Sequence, residues 1–189
     1  MKSSMIKQKA KKALEGHWFG AIVVFLLFLL VMIALDATVI GTLFSGLVFF
    51  AYSMFCLDLV KTKKAHLGAF FSGIFKNFFK RWGASLLVSL YTCLWSLLFI
   101  LPGLIKSYSY AMTPYIMMEK PEMGIRDAIT KSRQIMKGHK WQLFCLDLSF
   151  TGWMLLSIVT LGIALIWVWP YYSTARATFY KEIKRSANK

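Results

Sequence analysis

Apolar residues along this chain come in long unbroken runs, separated by shorter stretches where cations and apolar residues alternate at helical spacing. A hydrocarbon core about 30 Å thick needs roughly 20 helical residues, and runs of that order recur. Phe19 to Leu35 is one, closed by Asp36; Ile40 to Val60 is a second, closed by Lys61, Lys63 and Lys64. Ala84 to Leu101 is a third, stopped by Pro102 and Gly103. Leu104 to Met118 is a shorter fourth, with Lys106 and Pro114 inside it. Trp141 to Val159 and Leu161 to Tyr180 make a fifth and a sixth, with a turn at residues 160 to 162 and an expected kink at Pro170.

The stretches between the runs have a pattern of their own. In "HLGAFFSGIFKNFFKRW", residues 66 to 82, Leu67, Phe70, Phe71, Ile74, Phe75, Phe78, Phe79 and Trp82 form a helical stripe opposed by Lys76, Asn77, Lys80 and Arg81. "GIRDAITKSRQIMKG" sets Ile125, Ala128, Ile129, Ile135 and Met136 against Arg126, Lys131, Arg133 and Lys137. The N-terminus sets Ile6, Ala10, Ala13 and Leu14 against Lys7, Lys9, Lys11 and Lys12. Each reads as a basic amphipathic helix lying in the membrane interface. The units echo one another about every 60 residues as basic helix, Trp, run, turn, run. "LEGHW" at 14 to 18 matches "MKGHKW" at 136 to 141, with Gly as a helix stop before His. The middle copy, "FKRWGAS", lacks the Gly-His pair.

Charge bears on topology. Of 23 Lys and Arg residues, five lie in 1–17, six in 61–83, six in 119–140 and five in 176–189, leaving Lys106 as the exception. Cations of short loops concentrate on the cytoplasmic side, so each apolar block between these segments is expected to cross an even number of times. The expected fold is thus all-α: a single membrane domain of about six transmembrane helices in three hairpins, each preceded by a basic interfacial helix. Its parts are 1–17 (interfacial helix), 18–60 (hairpin 1), 61–83 (interfacial helix), 84–118 (hairpin 2), 119–140 (interfacial helix), 141–180 (hairpin 3) and 181–189 (basic tail), with both termini cytoplasmic.

Composition agrees with a membrane class: 58% of the 189 residues are hydrophobic and the mean hydropathy is +0.57. A net charge of +15 in a soluble chain would suggest nucleic acid. Here the cations cluster between apolar blocks, so anionic lipid is the expected partner, with another membrane protein or a second copy as further possibilities. Cys56, Cys93 and Cys145 lie inside apolar runs without metal spacing and read as small buried hydrophobes.

Residues 99 to 183 carry "LPGLIKSYSYAMTPYIMMEKPE", then "AITKSRQIMKGHKWQLFCLDLSFTGW", then "WPYYSTARATFYKEI". This pattern resembles the domain-of-unknown-function family 975 of small bacterial integral membrane proteins. The resemblance implies a bacterial cytoplasmic membrane and a multi-span fold with interfacial helices, and it supplies no catalytic motif.

Three ionisable residues sit inside or just below expected spans: Asp58, Asp147 and Arg176. Charges there are functional candidates. Asp147 lies about 14 residues before the turn near Leu161 and Arg176 about 15 after it, so an antiparallel hairpin brings them to similar depth. They read either as a structural ion pair or as part of a proton or ion pathway. Two copies of "FCLDL" make a metal site from Cys56, Asp58, Cys145 and Asp147 conceivable. The bland reading, chance in leucine-rich surroundings, is preferred, and neither metal nor cofactor is expected. Asp36 and Lys106 are a candidate pair across the outer turns.

Trp18, Trp82 and Trp141, with His17 and His139, are expected as interfacial anchors. Lys11, Lys12, Lys76, Lys80, Arg81, Lys131, Arg133 and Lys137 are expected to meet lipid headgroups. His66 has no partner readable from sequence. No nucleophile, phosphate loop or metalloprotease signature is present, so the leading expectation is a non-enzymatic scaffold or partner-binding membrane protein. A small transporter or lipid-handling permease using the Asp and Arg residues is the alternative, and a membrane enzyme comes third.

Overall fold

The computed structural model of the chain describes residues 3–36, 39–63, 67–75, 77–98, 100–160 and 162–187. The described residues form helices and turns without a strand: α1 (Ser3–Leu14), α2 (Trp18–Asp36), α3 (Val39–Thr62), α4 (Leu67–Phe75), α5 (Phe78–Leu98), α6 (Ile100–Tyr110), α7 (Thr113–Glu119), α8 (Ile125–Ile135), α9 (Lys140–Val159) and α10 (Leu165–Ala187). Three stretches among them are long and apolar enough to cross a membrane: Trp18–Leu35, Phe44–Thr62 and Lys140–Val159. Most of the second is buried and less than a quarter of each of the other two, so α3 is the central helix. Gly41 lets α3 pass the Leu35 carbonyl at a separation that no Cβ would allow.

Six crossings in three hairpins are therefore not clearly supplied by the described helices: α5 and α10 fall outside these three stretches, and the departure from the expected pattern is plainest in residues 84–118. There α5 covers the third expected run, but the fourth is broken at Ala111 and Met112 into α6, of 11 residues, and α7, of seven. At about 1.5 Å per residue, neither is long enough to cross. The break has a local cause: Pro114 stands in the first turn of α7, where its missing N–H costs nothing, whereas inside a continuous helix it would cost about 3 kcal/mol.

Two further expectations change. The amphipathic stripe of 66–82 is not one helix, because Asn77 adopts a left-handed φ of 55° between α4 and α5. The basic tail expected at 181–189 is helical through Ala187, as the end of α10. Pro170 does lie inside α10.

The threefold echo has a backbone counterpart. Gly16 (φ 78°), Asn77 and Gly138 (φ 84°) are left-handed, and their residue numbers are equally spaced, each 61 beyond the last. Each separates a short helix from a long one: α1 from α2, α4 from α5, α8 from α9. Asn is among the few non-glycine residues that enter this region readily, which explains how the middle copy turns without a Gly-His pair. The packing is cyclic as well. Each short helix rests on the last helical segment of the preceding unit: α4 on α3, α8 on α7 and α6, and α1 on α10, which closes the ring.

That closure moves α1 away from its expected surface position. Ile6, Ala10, Ala13 and Leu14 are all buried. Lys7 Nζ donates to the Ser149 carbonyl at 2.8 Å and stands 4.4 Å above the Phe150 ring. Tyr171 Oη donates to the Lys7 carbonyl at 3.2 Å, and Lys9 pairs with Glu182 at 2.8 Å. The apolar stripe the sequence assigns to lipid is here spent on protein.

Candidate functional site

Helices α9 and α10 run antiparallel around a short turn in which Gly162 takes φ 89°. Nearly equal counts of residues on the two sides bring Arg176 Nη2 within 2.9 Å of Asp147 Oδ2. The Arg176 guanidinium also lies 5.3 Å from the centre of the Tyr172 ring, close enough for a cation–π attraction. Tyr108 on α6 lies near the same carboxylate. Asp147 Oδ1 and Arg176 Nε are buried and have no hydrogen bond among the described residues. The pair is thus incompletely satisfied, which suits a place that polarises a neighbouring group as well as one that fixes a fold.

Beside it opens a groove of about 350 Å³ between α3, α5, α6 and α10. Ser85, Ser89, Thr92, Ser107, Tyr108 and Tyr110 give it hydroxyls, Phe49, Phe50, Val88 and Leu104 give it apolar walls, and Arg176 gives it a positive charge. Such a wall can hold an anion or a polar headgroup. It contains no nucleophile next to a general base.

A second polar centre ties the helix ends together. The Glu119 carboxylate at the end of α7 takes Lys61 from α3 on one oxygen and Lys184 from α10 on the other. Tyr180 Oη adds a donated hydrogen bond of 2.7 Å. Burial opposes the charged form of Glu119, yet the hydrogen bonds from Lys184, Lys61 and Tyr180 overcome it and hold the carboxyl down at about 2. Sequence reasoning missed Glu119. Its signal was an acid in a segment otherwise rich in cations.

The other expected residues divide. Asp58 is half-buried, its carbonyl accepting from the Thr62 hydroxyl, and it stands outside the Asp147–Arg176 pair. Cys56 is buried and Cys145 half-buried; among the described residues no three His, Cys, Asp or Glu side chains converge, so the conceivable Cys and Asp metal site is not assembled. Lys106, assigned by sequence to an outer turn, instead lines one cavity with Arg133, Lys137 and Lys140. The side chain of Asp36, and residues His66 and Lys76, lie outside the described residues.

Of the three tryptophans, Trp141 is 71% exposed. Trp18 instead packs on Tyr171 at 6.5 Å, and Trp82 stacks on Phe44 at 5.3 Å. The exposed aromatics of those two elbows are Phe19, 83% exposed, and Phe79, 80% exposed. These were missed because Trp was weighted over position. Counting two or three residues from the left-handed residue would have found them.

Among the cations, Lys11, Lys12, Arg133 and Lys137 are exposed. Arg81 is only 6% exposed and donates to the Ser72 carbonyl at 2.6 Å, so it braces α5 against α4 and does not face headgroups. Lys80 is half-buried and donates to the Pro121 carbonyl at 2.6 Å, and Lys131 lines a cavity beside Glu119. His17 Nδ1 lies 3.2 Å from the Glu15 carbonyl, and His139 Nδ1 lies 3.1 Å from Gln142 Oε1. Both contacts are local to their turns.

Residues 99–187 match the model of a family described as a protein of unknown function (DUF975). No curated protein matches the chain, and no solved structure does.

Proposed function

We propose, from geometry alone, a non-enzymatic membrane scaffold or partner-binding protein; residues 99–187 match the DUF975 family, whose function is unknown. The protein sits in a bacterial cytoplasmic membrane with its elbows on anionic lipid. One observation supports this reading. Two or three residues after Gly16, Asn77 and Gly138, the left-handed residues of the three elbows, stands a largely exposed aromatic, Phe19, Phe79 or Trp141, in a stretch of chain that also carries cations. Burying one such ring contributes roughly 1.5–3 kcal/mol. Each exposed cation at an anionic surface adds about 1 kcal/mol. Three elbows of this kind outweigh any single contact with lipid.

The topology that suits the helices has four crossings, α2, α3, α9 and α10, with α5 and α6 as a re-entrant hairpin. Both termini and the cations, Lys106 among them, then share the cytoplasmic side. Single cysteines at positions 36 and 106 separate this topology from six crossings. Here position 36 reacts with an impermeant maleimide in intact cells and position 106 reacts only in inverted vesicles; labelling of both from outside restores the three hairpins.

The scaffold reading is tested by the lipids the protein keeps. In nanodiscs formed from mixed phosphatidylglycerol and phosphatidylcholine, the wild type should retain an excess of the anionic lipid over the input ratio. The F19S/F79S/W141S and K11Q/K12Q/R133Q/K137Q variants should lose it. A retained composition equal to the input defeats the reading.

A transporter or lipid-handling permease is the second reading, favoured by the groove that ends at Arg176. A substrate flux in proteoliposomes that D147N/R176Q abolishes while the protein still inserts would put it first.

A further inference from the structure

The junction of α6, α8 and α9 holds two cavities that share a wall. One, of about 450 Å³, is lined by Lys106, Arg133, Lys137 and Lys140 with hydroxyl and amide groups from Ser109, Thr130 and Gln134, and by no carboxylate. The other, of about 270 Å³, is almost wholly apolar: Leu104, Ile105, Tyr108, Trp141 and Phe144, with Lys140 again at its edge. Trp141 stacks on Phe144 at 5.1 Å, and Tyr108 meets Phe144 edge-on at 6.2 Å, so the trough has a floor of packed rings. Leu104, Ile105 and Trp141 are left exposed.

Like charges do not gather around a carboxylate-free cavity without cost. Arg133 and Lys140 both act electrostatically on Lys106, and that repulsion is relieved by an anion of two or more oxygens. A phosphate offers charge together with acceptors for Arg, Lys and hydroxyl donors. The apolar trough beginning at Lys140 offers nothing to a free anion and much to a hydrocarbon chain. We propose that this junction is a binding site for one anionic phospholipid, its phosphate in the Lys106, Arg133, Lys137 and Lys140 cavity and an acyl chain along Trp141, Phe144 and Ile105. The inference deepens the scaffold reading and rests on it in one respect only, that the third elbow meets lipid. It adds a defined stoichiometry, a place and a headgroup chemistry.

Native mass spectrometry of the delipidated full chain, titrated with phosphatidylglycerol, with phosphatidylcholine of the same chains, or with inorganic phosphate, tests it. Phosphatidylglycerol should give one adduct that saturates well before the others, at least tenfold tighter than phosphatidylcholine. Millimolar inorganic phosphate should not displace it. Added salt should weaken it, because the pairing is ionic and partly exposed. R133Q/K137Q/K140Q should lose the adduct, and K11Q/K12Q at the first elbow should keep it. Should the triple variant misfold, wild-type Trp fluorescence decides. Brominated phosphatidylglycerol should quench a saturable component that W141F removes.

Displacement by inorganic phosphate would make the site one for a free anion and overturn the lipid assignment. Adducts that grow without saturation, with retention of anionic lipid in nanodiscs intact, sink this site and leave the three-elbow reading standing. Loss of both sinks the two together.

Discussion

The first and third elbows begin from nearly the same sequence, "LEGHW" and "MKGHKW", and make the same turn. In both a glycine with φ near 80° stands two residues before the next helix begins. Their cations nevertheless do different work. At the first elbow Lys7 reaches the Ser149 carbonyl and Lys9 reaches Glu182, and the apolar stripe of α1 is buried in the bundle. At the third elbow Arg133 and Lys137 stay exposed and border a cavity with Lys106 and Lys140. Similar local chemistry turns Lys7 and Lys9 into a clasp at one elbow and leaves Arg133 and Lys137 open at the other, and what differs is the neighbour. Helix α1 falls on α10 and closes the ring.

That contrast can be broken at several points. The largest effect should come from undocking α1. Leu14 is fully buried among Ala21, Leu59, Trp18 and Tyr171, so Leu14→Ala should destabilise by about 3 kcal/mol, read from reversible unfolding in mixed micelles. A loss below about 1 kcal/mol would return α1 to the membrane surface and erase the difference between the elbows.

Next comes the Glu119 latch, which fixes α3, α7 and α10 relative to one another. Glu119→Gln leaves Lys61 and Lys184 facing a neutral amide and should cost roughly 1–3 kcal/mol. Its pH dependence has a defined sign. A carboxyl held at about 2 in the fold, against 4.5 ordinarily, contributes stability that is present above 4.5 and lost as pH falls toward 2. The melting temperature should therefore drop across that window in the wild type and drop less in Glu119→Gln. Parallel profiles would show that the latch is not closed.

The glycines sharpen what the two elbows share. A Cβ at Gly16 or at Gly138 would meet nothing within 4 Å, so the cost of Ala is backbone strain alone, about 1 kcal/mol at each. Equal losses support a common turn, and unequal ones would mean that tertiary contacts shape it. Asn77→Gly should be neutral or slightly stabilising, by a few tenths of a kcal/mol.

The cations give the smallest effects. Lys7→Gln should cost about 1 kcal/mol through its lost hydrogen bond. Lys137→Gln, which is exposed, should stay within about 0.5 kcal/mol. Similar values for the two would show that the docked and open elbows differ in geometry but not in energy.

Much of this molecule was legible locally. The 3.6-residue stripe of α1 and α8, the left-handed glycines before His17 and His139, and the depth match of Asp147 with Arg176 follow from periodicity and counting, because helix geometry is fixed by the backbone. The turn at Asn77 was less legible, since Asn tolerates that conformation without requiring it. Neither the split at Met112 nor the inward turn of Arg81 could be read from hydropathy. The first depends on where Pro114 falls relative to a helix start, and the second on a carbonyl that α4 brings from nine residues away.

By itself the sequence determined an all-helical membrane chain, the glycine turns before His17 and His139 and the repeat of basic helix and apolar run. Each of these is set by groups a few residues apart. Only the tertiary structure decided which cations are spent on protein and which stay exposed, that Glu119 gathers three helices, and that Lys106 joins the third elbow. A charged side chain takes whichever partner the fold places within reach, and spacing along the chain does not record that distance.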